Sequence, residues 1–88
     1  MRLQGEFVIR QLMVDTIAVP IGQTALQLSG MILLNDVSRV IWQQLEQDTT
    51  LERIVSAVTN TFEVSHAEAE ADIIEFLNKL RAAQLLEE

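Results

Sequence analysis

The amino-acid sequence predicts an α+β fold, with a three-stranded antiparallel sheet in the first part of the chain and three helices behind it. Three observations carry this reading. Short runs rich in apolar and β-branched residues, separated by turn signals, continue up to Leu34. Asn35 followed by Asp36 is a helix-start signal, an N-cap with a carboxylate in the first turn where the helix dipole favours it. Beyond Asn35 the apolar spacing changes from a period of two to the helical period of about 3.6.

In chain order, residues 1–5 read as a loose lead-in. Residues 6–13 form a first strand, with Phe7, Ile9 and Gln11 on one face and Val8, Arg10 and Leu12 on the other. A turn at Val14 and Asp15 leads to a second strand over 16–21. Pro20 has no N–H to donate, so it belongs at a strand end or on an edge. Residues 22–24 read as a turn and 25–28 as a run-in. Ser29-Gly30 then marks a turn before the third strand, Met31, Ile32, Leu33 and Leu34.

The first helix covers 36–46, on an apolar stripe of Val37, Val40, Ile41 and Leu45. The second covers 51–62, on Leu51, Ile54, Val55, Val58 and Phe62; either Thr49 or Thr50 caps it, and Thr49 with Glu52 has the spacing of a capping box. Ser65 with Glu68 repeats that spacing before the third helix, 66–83. This helix has two stripes. Ala69, Ile73, Phe76, Leu77 and Leu80 are its core side, and Ala67, Ala71, Ile74, Asn78 and Arg81 form an adjoining, mostly small-residue stripe. Short helices joined by a few residues, with strands alongside, give one winged helix-turn-helix-like domain over residues 1–88.

Composition narrows the function. The chain has 88 residues, 49% of them hydrophobic and 22% charged, which is enough for one packed core. It has no cysteine, so disulfides and thiolate metal sites are excluded, and His66 is its single imidazole. Glu68, Asp72 and Glu75 fall at helical spacing, but without further ligands they read as a solvated acidic face. No activated nucleophile and no phosphate-binding glycine loop is visible, so no catalytic residue, metal or cofactor is assigned. No secretory signal and no stretch of the roughly 18 apolar residues needed to span a bilayer is seen, so a cytoplasmic protein is expected.

The net charge of -7 argues against nucleic acid and anionic membrane as partners. In a winged-helix DNA binder the third helix would enter the groove, and its first half here is acidic. A protein or peptide partner suits the chain better.

The ordered set Leu33-Leu34-Asn35, Ile41-Trp42 with Leu45, Thr50-Leu51-Glu52 with Ile54-Val55, Ala71-Asp72-Ile73, Phe76-Leu77, Leu80 and Leu85-Leu86 resembles the PqqD family. Its members are also described as recognition elements for ribosomally made, post-translationally modified peptides. The likeness runs from about Phe7 to Leu86. Two glycines common in the family are replaced, one between the first two helices by Gln47-Asp48 and one before the last apolar pair by Gln84.

The resemblance implies binding without catalysis. Such a protein captures the leader of a precursor peptide and presents it to a modifying enzyme, often a radical-SAM enzyme. The leader would lie as an added strand on the third strand, over a groove floored by the last helix. On that basis the site is expected at Leu28, Met31, Ile32, Leu33 and Leu34, with Ala67, Ala71, Ile74, Asn78 and Arg81 opposite. The third strand carries no charge or proline to blunt its edge, which fits strand addition. The small-residue stripe is also open to a homodimer contact. A small adaptor that docks on an enzyme without reading a peptide is the alternative.

Overall fold

The alternation over residues 7–20 closes into a tight hairpin, β2 (Phe7–Leu12) against β3 (Asp15–Pro20), in register from Phe7 opposite Pro20 to Leu12 opposite Asp15. The computed structural model describes residues 1–88. Before the hairpin lies β1 (Arg2–Leu3). After it come α1 (Gly22–Gln27), β4 (Ile32–Leu34), α2 (Asp36–Leu45), α3 (Leu51–Thr61), α4 (His66–Ala82) and β5 (Leu86–Glu87). β3 is the central strand of an antiparallel β2-β3-β4 sheet, with Thr16 opposite Leu34 and Ala18 opposite Ile32. Pro20 is the last residue of β3, where its missing donor costs no ladder bond.

The inner face of this sheet meets the helices. Ala18 and Leu34 are buried against Ile41, Trp42 and Leu45 of α2, Ile54, Val55 and Val58 of α3, and Ile73, Leu77 and Leu80 of α4. Phe7 meets Trp42 edge-to-face, with ring centroids 5.0 Å apart and planes at 87°, a favoured aromatic geometry. α2 and α3 form the expected helix pair. The cap of α3 is Thr50, whose hydroxyl accepts from the Arg53 N–H at 3.2 Å; Thr49 is buried beside it.

Four local expectations are corrected. The lead-in is ordered: β1 pairs with β5, Arg2 opposite Glu87 and Leu3 opposite Leu86, a pairing across the whole chain that no local periodicity can signal. The turn and run-in over 22–28 contain the short helix α1. Its N-cap residue, Ile21, makes no side-chain cap bond, so the usual start signal is missing. Thr24 holds it in place by accepting the Glu6 N–H at 2.8 Å. The hairpin turn is Met13-Val14, one residue earlier than expected, with Met13 at φ 57°. Met31 lies just outside β4.

The glycine replacement at Gln84 falls in a helix cap. Beyond α4, the Gln84 N–H donates to the Arg81 carbonyl at 2.9 Å and the Leu85 N–H to the Leu80 carbonyl at 2.8 Å. This is the Schellman arrangement, and it places Gln84 at φ 60°. A left-handed residue with a Cβ costs about 1 kcal/mol or more. Gln84→Gly is therefore expected to stabilise the domain by about 0.5–1 kcal/mol, a gain of roughly 2–8 °C in melting temperature. Calorimetric melting checks it; an unchanged or lower Tm would show that the cap is unstrained. Neither Gln47 nor Asp48 adopts positive φ, so the other glycine replacement carries no such strain.

Candidate peptide-binding groove

β4 pairs with β3 on one side only, so its other edge keeps unpaired backbone groups. Two local devices position that edge. Gly30 turns the chain at φ 92° just before it, a conformation glycine adopts without cost. After it, Asn35 starts α2 through a reciprocal capping box: Asn35 Oδ1 accepts from the Ser38 N–H and Ser38 Oγ accepts from the Asn35 N–H, both at 2.8 Å. The strand therefore ends abruptly and α2 leaves at once. The space between β4 and α4 is left as a groove.

The groove has a volume of about 390 Å³ and is lined by nine apolar and five polar residues. Ile32 and Leu33 of β4 line it with Leu28 before the strand. Val37 and Ile41 of α2 and Phe76, Leu80, Ala83 and Leu85 at the end of α4 and beyond complete the apolar lining. Asn35, Ser38, Asp72, Glu75 and Lys79 supply the polar lining. Glu75 and Lys79 lie 3.8 Å apart as an exposed i,i+4 pair, which stabilises little.

Of the residues expected from sequence, Leu28, Ile32 and Leu33 line the groove. Met31 is 59% exposed and outside it, and Leu34 is buried in the core. The expected α4 stripe lies elsewhere. Ala67, Ala71, Ile74, Asn78 and Arg81 do not line the groove; the stripe through Asp72, Glu75, Phe76, Lys79 and Ala83 does. The reason is helical geometry: at about 100° per residue the two stripes lie on opposite flanks of the core stripe. Packing of Ile73, Leu77 and Leu80 turns the second flank, not the first, toward β4. Phe76 was legible as an apolar residue at the margin of the core stripe, and that marginal position was the available signal.

The stripe facing away carries its own contacts. The Arg81 guanidinium donates to both carboxylate oxygens of Glu88 at 2.9 Å and to Asn78 Oδ1 at 2.8 Å. Hydrogen bonding to Arg81 holds the Glu88 carboxyl below its ordinary value of 4.5. A carboxyl depressed on folding contributes stability above its unfolded value, and loses it as pH falls through the folded one. Wild type is thus expected to lose this contribution only below pH 4.5, and Glu88→Gln to show a shallower acid fall in Tm. Identical acid limbs for the two proteins would show the pair to be silent. His66 Nδ1 lies 3.7 Å from a Glu70 carboxylate oxygen, both side chains exposed. No group of three or more His, Cys, Asp or Glu residues is placed to hold a metal ion, and no helix is long and apolar enough to cross a membrane.

Fold and groove together define a small α+β domain that offers an open strand edge beside an apolar channel. Residues 13–86 match the PqqD family, described as coenzyme PQQ synthesis protein D, and the chain belongs to that family. A solved structure described as "TbiB1 in Complex with the TbiA(beta) Leader Peptide" has the same fold, with a TM-score of 0.74 at 24% identity, covering 99% of this chain and 95% of that one. No curated protein matches the chain.

Proposed function

We propose that the chain is a non-catalytic peptide-recognition protein. It captures the leader of a ribosomally made precursor as a strand added to β4 and presents that precursor to a modifying enzyme, of the radical-SAM class, in the cytoplasm. The observation that carries this reading is the unpaired edge of β4 lying directly over an apolar groove. Main-chain bonds to such an edge supply affinity, and side-chain pockets beside it supply selectivity. Family membership supports it, and so does the leader peptide in the name of the TbiB1 structure.

Two apolar anchors at about 1.5–3 kcal/mol each and four main-chain bonds at about 1 kcal/mol each, less about 2–5 kcal/mol for ordering the peptide, set micromolar affinity as the tightest expected from these contacts alone. Isothermal calorimetry against the leader of the precursor encoded beside this chain tests the proposal. One-to-one binding that is lost in the edge variant Ile32→Asp, with the fold kept, is the expected result. No heat at high concentration would sink it.

One observation favours a second reading, an adaptor that docks on an enzyme without reading a peptide. The hairpin tip exposes Leu12, Met13 and Val14, the last two almost fully, and Met13 holds a backbone conformation that glycine or asparagine would adopt more cheaply. Binding of the neighbouring enzyme in the absence of leader binding, lost in Met13→Asn with Val14→Gly, would put the adaptor first.

A further inference from the structure

The groove is lined by five polar side chains, and four of them are engaged with one another. Asn35 and Ser38 satisfy each other in the cap of α2. Glu75 faces Lys79. The Asp72 carboxylate forms no hydrogen bond or ion pair with another side chain, although Lys79 lies two turns further along the same wall. The wall thus sets two carboxylates against one ammonium, over an apolar floor, in a chain of net charge -7.

For a peptide that runs along α4, the dimensions fix a frame. From Asp72 to Ala83 the α4 wall rises by about 16 Å, at roughly 1.5 Å per residue. An extended peptide covers that length in about five residues, at roughly 3.3 Å each. Side chains alternate along a strand, so about three of the five face the groove. The apolar floor takes two of them, and the Asp72 end presents an unpartnered negative charge to the third.

We propose that the groove selects an extended five-residue frame of the pattern apolar-x-apolar-x-Lys/Arg, or its reverse according to strand direction, with the cationic side chain against Asp72. This names the peptide class for the capture reading above and rests on it. Arginine is the better partner of the two, because its planar fork can meet a carboxylate through two bonds.

The test is a display selection of random peptides on the immobilised full chain, run in parallel on Asp72→Lys and on the groove-filling Ala83→Phe. Both substituted positions are exposed, so the fold is expected to survive. Wild type should enrich the stated frame, Asp72→Lys should replace its basic residue with a neutral or acidic one, and Ala83→Phe should enrich nothing. For a synthetic enriched peptide, changing the basic residue to Gln should weaken binding about fivefold, and Asp72→Asn should abolish that difference. Enriched peptides that depend on an open groove but show no basic preference, or that bind Asp72→Asn with the difference intact, would overturn this inference and leave peptide capture standing. Enrichment of no peptide on any of the three proteins would overturn both.

Discussion

Trp42→Ala is expected to remove a large share of the domain's stability. Trp42 is 2% exposed, sits in α2 among core residues of the other helices, and meets Phe7 of the sheet edge-to-face. It is the aromatic bridge between the two layers. Truncating a buried tryptophan costs about 3–5 kcal/mol. A domain of 88 residues has a total stability of about 4–13 kcal/mol, at roughly 0.05–0.15 kcal/mol per residue. The expected fall in Tm is roughly 12–40 °C. Circular dichroism is the appropriate measurement, since the substitution removes the one tryptophan. Trp42→Phe keeps an aromatic against Phe7 and should lose much less. A fall of under about 5 °C for the alanine variant would show that the layers are held together elsewhere.

The second large effect separates the two flanks of α4. Ala83→Phe places a ring in the groove, whereas Ile74→Arg changes a side chain on the flank facing away, about 160° around the helix from Phe76. Displacing one apolar anchor of a bound peptide removes about 1.5–3 kcal/mol. Ala83→Phe is therefore expected to weaken leader binding at least about tenfold, and Ile74→Arg to change it by no more than about twofold. Calorimetry on both variants decides between the flanks. The reverse ranking would return the site to the Ala67, Ala71, Ile74 stripe and leave the β4 groove without a ligand.

The helices were legible because their signals are local. Asn35, Thr50 and Ser65 all cap a helix through a side-chain oxygen, and each stands just before an apolar stripe at helical spacing. The hairpin was legible from β-branched runs, to within one residue at its turn. The β1–β5 ribbon was not, because its partners have no relation in sequence and each strand has only two residues. α1 was hidden for the opposite reason: it is local but lacks a capping side chain.

The groove was half legible. The edge strand follows from the absence of charge or proline among Met31, Ile32, Leu33 and Leu34, and from Asn35 ending it. Which flank of α4 faces that edge is a tertiary fact. Apolar residues sit on three sides of the helix, with Ile74 on one flank and Phe76 toward the other, so its pattern ranks the core side but not the flanks. Asp72 was read as part of a solvated acidic face, and only the placement of α4 sets it at the groove's rim.

The β1–β5 ribbon has a consequence for the order of assembly. Its two residue pairs close a loop of nearly the entire chain, the costliest closure in the molecule. During synthesis Arg2 and Leu3 must wait for Leu86 and Glu87 to emerge, long after the hairpin and helices can form. The ribbon is thus expected to dock last, and once docked it is tied down at Met1, whose ammonium donates to Asp48 and to the Thr49 carbonyl and whose carbonyl accepts the Thr49 N–H. Leu85, immediately before β5, forms part of the groove floor, and its carbonyl accepts the Gln4 N–H at 2.8 Å. One end of the groove is therefore finished by the longest-range strand pairing in the domain. Hydrogen exchange at Gln4 should run ahead of the core helices and slow when the groove is filled.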